Sequence, residues 1–243
     1  MAPSRRAEPP GIAAERHAAV AAFASGDFDA AARQLVPLLT RVPPDPDLLR
    51  ACGIALTRSG EPSRGLPYLA RARRSAPDDA GAALWLGLAL QQVERFGDSV
   101  AAFRDAARLA PADPGIPIHL SRSLLRLDRP DEALCAARDA LARAPELPEA
   151  LHAVHLAERS VLLANGTSGE TLVTVLSALG EASLRLGLVP AAHDTFAEAV
   201  GLDPRATRPA VGLALVEHLV GRPLTAIARL RTLLAADPTH PGI

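Results

Sequence analysis

Six prolines recur along this chain at a spacing that constrains its fold more than any other feature. Four of them follow one another every 34 residues and two more have the same separation further along: Pro43, Pro77, Pro111, Pro145, Pro204 and Pro238. A fixed period of this size is the signature of a repeat protein, in which each unit buries its apolar face against its neighbours. In such an array the function usually depends on an extended surface and not on a catalytic pocket.

Other positions repeat with the same period, so the prolines are not an isolated coincidence. One position is always small: Ala19, Gly53, Gly87, Ser121, Gly180 and Ala214. Another is apolar and mostly larger: Leu35, Leu69, Phe103, Ala137, Phe196 and Leu230. Small residues allow helix axes to approach to about 8–10 Å, and the larger residues fill the space that remains.

Each repeat is predicted to consist of two amphipathic helices, because apolar residues recur at spacings of three and four. Gly26, Gly60, Gly187 and Gly221 share the position between the two helices, where a left-handed residue ends the first one. The first helices are predicted at 12–25, 47–58, 81–93, 115–127, 172–186 and 208–220. The second helices are predicted at 28–41, 62–75, 96–109, 130–143, 189–202 and 223–236. No segment alternates as a strand does.

This pattern resembles the tetratricopeptide repeat family. The clearest unit runs from Ala83-Leu84-Trp85-Leu86-Gly87 through Ser99, Phe103 and Ala106 to Pro111, although Trp85 lies two residues later than the family's tryptophan. The resemblance covers nearly the whole chain except about 25 residues between the fourth and fifth units. It implies an all-α fold, an α-solenoid of about six helical hairpins with one extra unpaired helix after the fourth.

The predicted organisation has four segments. Residues 1–10 form a disordered tail, 11–145 four repeats, 146–166 an unpaired helix, and 167–243 two further repeats. The unpaired helix is interpreted as a repeat that lost its second helix, or alternatively as a hinge or partner site. It carries Glu149, His152, His155 and Glu158, but no matching Glu-x-x-His occurs on another helix, so a solvated polar face is favoured over a metal site.

Composition excludes several classes of function and favours a cytoplasmic protein. The net charge is −1, which gives no basic field for nucleic acid, and no apolar segment is long enough to insert into a membrane. Two cysteines and no signal peptide indicate a reducing compartment. All 26 cationic side chains are arginine, which is typical of a GC-rich, bacterial-type genome. Enzyme motifs are absent, so neither catalysis nor a cofactor is expected.

The resemblance implies that the first helices line a concave face on which peptide ligands lie. The side chains expected there are Arg16, Phe23, Asp47, Arg50, Ile54, Leu84, Trp85, Leu88, Gln91, Ile118 and Arg122. An apolar middle with arginines on either side suits a peptide or partner protein with acidic flanks. Trp85 and the arginines are of the types often found as binding hot spots. Alternatively, Trp85 packs on the neighbouring unit, and Ile54, Leu88 and Ile118 complete the core.

The sequence therefore predicts a scaffold for protein–protein interaction. The alternative is a recruiting module of an enzyme whose catalytic domain is elsewhere. Terminal repeats normally need a polar cap, and Val211, Leu215 and Leu234 are expected to have an uncovered side. Three explanations for this uncovered side stay open: a cap lost by truncation, a catalytic domain that follows in the native gene, or a homodimer formed through the C-terminal end.

Overall fold

The computed structural model of the protein describes residues 10–43 and 45–236, and these form thirteen α-helices without a strand. The helices are α1 (Pro10–Ala24), α2 (Phe28–Arg41), α3 (Pro46–Arg58), α4 (Pro62–Ser75), α5 (Ala80–Gln92), α6 (Phe96–Leu109), α7 (Gly115–Arg126), α8 (Pro130–Arg143), α9 (Pro148–Ala164), α10 (Glu170–Arg185), α11 (Val189–Leu202), α12 (Thr207–Leu219) and α13 (Pro223–Ala236). The predicted all-α fold is confirmed. Apart from Pro10, which begins α1, the predicted N-terminal tail lies outside the described residues.

Six helical hairpins and one single helix make up the fold. The hairpins are α1–α2, α3–α4, α5–α6, α7–α8, α10–α11 and α12–α13, and α9 lies between α8 and α10. The chain divides into two compact units, with the boundary between Ala112 and Asp113. The first unit therefore holds the first three hairpins, and the second unit holds α9 and the other three. No helix of the described residues is both long and apolar enough to cross a membrane.

Within each unit the first helices of successive hairpins lie closer together than the second helices. In the first unit α1 contacts α3 and α3 contacts α5, whereas no such contact joins α2, α4 and α6 over the described residues. In the second unit α7 contacts α9, and α10 contacts α12. The first helices therefore form the inner side of each unit, as the resemblance implies.

The small repeat position packs directly on the larger apolar position of the same hairpin. A Cβ atom added to Gly53 would lie 2.4 Å from Cγ of Leu69, and one added to Gly87 would lie 2.6 Å from Cε1 of Phe103. Gly180 has the same relation to Phe196, at 2.6 Å. In these three hairpins the absence of a side chain at this position is therefore what lets the two helices approach each other.

The turn between the two helices of each hairpin uses a left-handed residue. Its φ is +80°, +87°, +70° and +79° at Gly26, Gly60, Gly187 and Gly221. In the third and fourth hairpins the same position holds Glu94 and Asp128, with φ of +60° and +55°. A left-handed conformation costs a residue with a Cβ roughly 1–2 kcal/mol, so these two turns are strained relative to the others.

Helix α9 continues the 34-residue period as a first helix but has no second helix of its own. Ala150 and Val154 are buried in one cluster with Ile118 of α7. His155 occupies the small repeat position, and its Nδ1 lies 3.2 Å from Oε2 of Glu158. Because no second helix of the same repeat packs on this position, a large polar side chain fits there.

Candidate partner-binding surface

Nine of the predicted site residues lie in the first unit, on the three helices that form its inner side. We call this the first-unit face: Arg16 and Phe23 on α1, Asp47, Arg50 and Ile54 on α3, and Leu84, Trp85, Leu88 and Gln91 on α5. The other two, Ile118 and Arg122, lie on α7 in the second unit. Each unit is therefore treated separately.

An apolar cluster lies under the first-unit face and joins its three hairpins. Ile54 is only 8% exposed and packs with the buried Leu69 and Ala89. Phe23 and Trp85 are half-buried against this cluster. Ile54 thus belongs to the core, whereas Phe23 and Trp85 pack on the core with one side and remain accessible on the other.

The accessible apolar area of this face forms a strip along α1 and α5. Leu84, Trp85 and Leu88 are half-buried. Val20 on α1 is 46% exposed and is the most exposed large apolar side chain among the described residues of the first unit. A strip of this kind offers apolar contact to a ligand.

The two arginines of the first-unit face are held in ion pairs within the unit. Nη1 of Arg16 lies 2.9 Å from Oδ2 of Asp45, and Arg50 pairs with Asp79 in the same way while its Nη2 lies 3.0 Å from Oδ1 of Asp47. Each arginine precedes its partner aspartate by 29 residues. The pair therefore joins one hairpin to the next, twice in succession.

Both of these aspartates also cap the helix that follows them. Oδ1 of Asp45 accepts a hydrogen bond from the Asp47 amide at 2.9 Å, and Oδ1 of Asp79 accepts one from the Ala82 amide at 3.1 Å. Each carboxylate thus compensates a helix N-terminus and an arginine together. The equal spacing of the two arginines and the two aspartates was visible in the sequence, but it was not used to predict this pairing.

In the second unit the two predicted residues differ in burial. Ile118 is 8% exposed and packs in the core formed by α7, α8 and α9. Arg122 is exposed and makes no ion pair with any residue that the structure describes. Among the three predicted site arginines, Arg122 is therefore the one available to a carboxylate from outside.

Two histidines beside Arg122 are neutral at neutral pH. Burial lowers the pKa of His119 to about 4, and the positive charge of Arg122 adds to this effect while Asp113 opposes it. Burial also lowers the pKa of His152, with further contributions from Arg122 and His155. These two histidines consequently add no charge to that of Arg122 at neutral pH.

On the inner side of the second unit, Arg208 forms an ion pair with Glu181. Nε and Nη2 of Arg208 on α12 lie 2.7 Å and 2.8 Å from the two carboxylate oxygens of Glu181 on α10. These hydrogen bonds hold the pKa of Glu181 below its usual range. The pair joins two first helices and leaves neither charge for a ligand.

The last hairpin exposes more apolar side chains than the sequence led us to expect. Leu215 is 50% exposed and Leu234 38%, as predicted for an uncovered end, whereas Val211 is half-buried. Leu219 and Leu224, which sequence reasoning missed, are 57% and 80% exposed. Comparing these two positions across the repeats would have identified them.

No group of three or more metal-ligating side chains occurs in the described part of the chain. His155 and Glu158 lie side by side on α9, but Oε1 of Glu158 is also 3.2 Å from Nη2 of Arg138. Their polar atoms are thus engaged with each other and with an arginine, and His152, His155 and Glu158 are half-buried, so of the predicted polar face only Glu149 is exposed.

Comparison with known proteins gives one family and several structures. A sequence model described as "Tetratricopeptide repeat" matches residues 53–114 and 177–241, just over half of the chain. The structure described as "MamA MSR-1 C2" has 22% sequence identity and a TM-score of 0.62, over 73% of this chain and 99% of that one. "Crystal structure of MamA protein" has 18% identity and a TM-score of 0.61, over 72% and 92%.

A larger assembly also contains a similar array. "Crystal structure of APC/C hetero-tetramer Cut9-Hcn1" has 18% identity and a TM-score of 0.52, over 92% of this chain and 46% of that one. At these identities the likeness concerns the fold. No curated protein sequence matches the chain.

Proposed function

Since the chain belongs to the tetratricopeptide repeat family, we propose that it is a protein–protein interaction scaffold and that the first-unit face binds a segment of its partner. The observation that carries this proposal is the accessible strip of Val20, Phe23, Leu84, Trp85 and Leu88, supported from below by a packed core. Side chains that are anchored on one side and open on the other are pre-organised for binding, because little side-chain freedom is lost when the ligand arrives.

The ligand expected on the first-unit face is an amphipathic helix or an extended peptide with apolar anchors. Its apolar side chains would pack on Phe23 and Trp85, the aromatic residues of the strip. Aromatic side chains in such a position supply much of the binding energy in many interfaces. Polar contacts are available from Gln91 and from Asp47, whose side chain is 81% exposed.

Recognition of acidic residues is assigned to Arg122 and not to Arg16 or Arg50. The latter two arginines are occupied by Asp45 and Asp79, so a ligand carboxylate would have to break an existing pair in order to reach them. Arg122, on the second unit, has no such competitor among the described residues. Binding of an acidic segment is therefore proposed for the second unit by itself, at Arg122.

The proposal is tested by photo-cross-linking. A photo-reactive amino acid is introduced at Leu88, and covalent partners are identified from cells of the source organism. The matched control carries the same group at Arg71, which is exposed on the second helix α4. We expect one partner to be captured from position 88 and not from position 71. Equal capture from both positions, or capture from position 71 alone, would place the binding surface elsewhere.

The captured partner is then titrated into the purified protein. Trp85 is the only tryptophan in the chain, so its fluorescence reports occupancy of the first-unit face directly. Val20→Glu is expected to weaken binding at least tenfold, because it places a charge in the apolar strip. Arg71→Ala should leave the affinity unchanged. An unchanged affinity of the Val20→Glu protein would contradict the proposed site.

A further inference from the structure

The polarity of the last hairpin, α12–α13, is reversed at positions where the other hairpins agree. The position of Leu219 is small or polar in the other five: Ala24, Arg58, Gln92, Arg126 and Arg185. The position of Leu224 holds only small or polar residues or proline in the others: Asp29, Ser63, Gly97, Asp131 and Pro190. Two solvent positions of the repeat have thus become leucine in one hairpin only.

A third position of the same hairpin is reversed in the opposite sense. Glu217 is only 4% exposed, and its carboxylate makes two hydrogen bonds, of 3.2 Å and 2.8 Å, with Arg229. Its counterparts in the other hairpins are apolar or small: Ala22, Leu56, Leu90, Leu124 and Ser183. A charge is therefore buried at a position that is uncharged in the other hairpins, while leucines are exposed at positions where the other hairpins have small or polar residues or proline.

The exposed leucines are not explained by the uncovered side of the last helix. Ile227 and Leu234 occupy positions that a following helix covers in earlier hairpins, as the buried Ala32 and Leu39 show, so their exposure has an ordinary cause. Leu219 and Leu224 occupy positions that remain exposed within the array. Together with Leu215 and Val220, which are 50% and 47% exposed, they form an apolar edge along α12 and across its turn.

The charge around this apolar edge is positive. Residues 207–236 contain four arginines and one glutamate, and Arg208 is paired with Glu181 and Arg229 with Glu217, which leaves the charges of Arg222 and Arg231 without an ion pair among the described residues. Glu217 is buried and paired, so the edge has no exposed carboxylate on α12 or α13. Arg222 lies in the turn between Leu219 and Leu224 and is exposed, as is Arg231 on α13.

We propose that the apolar edge formed by Leu215, Leu219, Val220 and Leu224 docks an amphipathic helix of a partner protein whose apolar stripe is bordered by carboxylates. Leu215 and Leu219 lie one helical turn apart and form a ridge, which fits the groove between side chains of an apposed helix. Carboxylates on that helix would meet Arg222. A second copy of the chain, joined edge to edge as the homodimer hypothesis supposes, would instead bring Arg222 towards an equally positive edge.

Two synthetic peptides of about five helical turns test this inference. Both carry the same leucine stripe, bordered by glutamates in one and by lysines in the other, and binding is measured by fluorescence anisotropy. The protein variant Leu219→Arg/Leu224→Asp takes the residues that the fourth hairpin has at these positions, Arg126 and Asp131. We expect the glutamate peptide to bind at least tenfold more tightly than the lysine peptide, and the double variant to lose at least tenfold of that affinity.

The controls distinguish the edge from general apolar exposure and from misfolding. Leu188→Asp removes another exposed leucine, 43% exposed in the turn before α11, and should bind the glutamate peptide like the wild type. Leu224→Asp alone changes a side chain that is 80% exposed, so its loss of binding cannot be attributed to unfolding. Equal affinity for both peptides, no binding, or undiminished binding by the variants would overturn the inference. So would a dimer in sedimentation that the double variant abolishes, since the edge would then belong to a second copy.

Discussion

The inner sides of the two units use arginine in different ways. In the first unit, Arg16 and Arg50 each bind an aspartate that also caps the next first helix, and they thereby join successive hairpins. In the second unit, Arg208 also joins two first helices through Glu181, whereas Arg122 is exposed and has no ion-pair partner among the described residues. Both site arginines of the first unit are thus part of the scaffold, and the site arginine of the second unit is available for recognition.

This difference matters because only an arginine without an internal partner gains a net interaction from a ligand carboxylate. A ligand that approaches Arg50 must replace a carboxylate already in place, so the exchange yields little free energy. At Arg122 it replaces water, and a charge-assisted hydrogen bond can contribute about 1.5–3 kcal/mol. The first-unit face is consequently suited to apolar contacts, and Arg122 of the second unit is suited to contact with an acidic group.

The largest effect is expected from overpacking the hairpin that supports the first-unit face. Gly87→Leu places a side chain within 2.6 Å of the Phe103 ring and should destabilise the first unit by about 3 kcal/mol. Hydrogen exchange measured by mass spectrometry should show the loss of protection in α5 and α6 before α10 and α11. An unchanged exchange rate in α5 would mean that the packing register of the first unit is wrong.

The second prediction concerns His119, the histidine beside Arg122. The equivalent repeat position in the first unit is also a histidine, His17. Burial lowers the pKa of folded His119 from 6.5 to about 4, so the unfolded chain binds a proton more readily as the pH falls below 6.5. The stabilisation is fully present above pH 6.5 and decreases towards pH 4. Between pH 7 and pH 5 this amounts to about 2 kcal/mol, since one pH unit corresponds to about 1.36 kcal/mol.

Urea unfolding of two variants at pH 7 and pH 5 measures this contribution. His119→Gln should remove about 2 kcal/mol from the pH dependence of the wild type. The control is His17→Gln, which makes the same substitution at an exposed histidine in the same repeat position of α1. If both variants keep the full pH dependence, His119 does not titrate as the burial of its ring indicates.

Replacing a paired arginine and an unpaired arginine by glutamine, one at a time, tests the comparison most directly. Arg50→Gln leaves Asp79 without its cation and should cost the first unit about 1 kcal/mol, the usual value of a partly exposed ion pair. Arg122→Gln breaks no ion pair and should change the free energy of unfolding by less than about 0.5 kcal/mol. Its effect should appear instead as weaker binding of an acidic ligand. Equal destabilisation by the two substitutions would refute the division between scaffold and recognition.

The sequence was sufficient for the helices, the hairpins and the packing positions, because these depend on periodicity within about 34 residues. The φ values at Gly26, Gly60, Gly187 and Gly221 and the contact of Gly87 with Phe103 confirm what the repeat pattern predicted. Whether each candidate binding residue is engaged within the protein or available to a ligand was harder to predict. Whether Arg50 or Arg122 is paired depends on one side chain in the next hairpin, and a search for apolar and cationic residues on one face does not examine that side chain.

The smallest effects are expected at the turns that lack glycine, one in each unit. Glu94 and Asp128 both have a left-handed backbone, but aspartate tolerates this conformation better than glutamate does. Glu94→Gly should therefore stabilise the first unit by about 1 kcal/mol, and Asp128→Gly should stabilise the second by less. The reverse substitution, Gly60→Ala, at the same repeat position, should cost about 1 kcal/mol. Equal stabilisation by Glu94→Gly and Asp128→Gly would show that the left-handed backbone alone determines the stability of these turns, whichever side chain the residue carries.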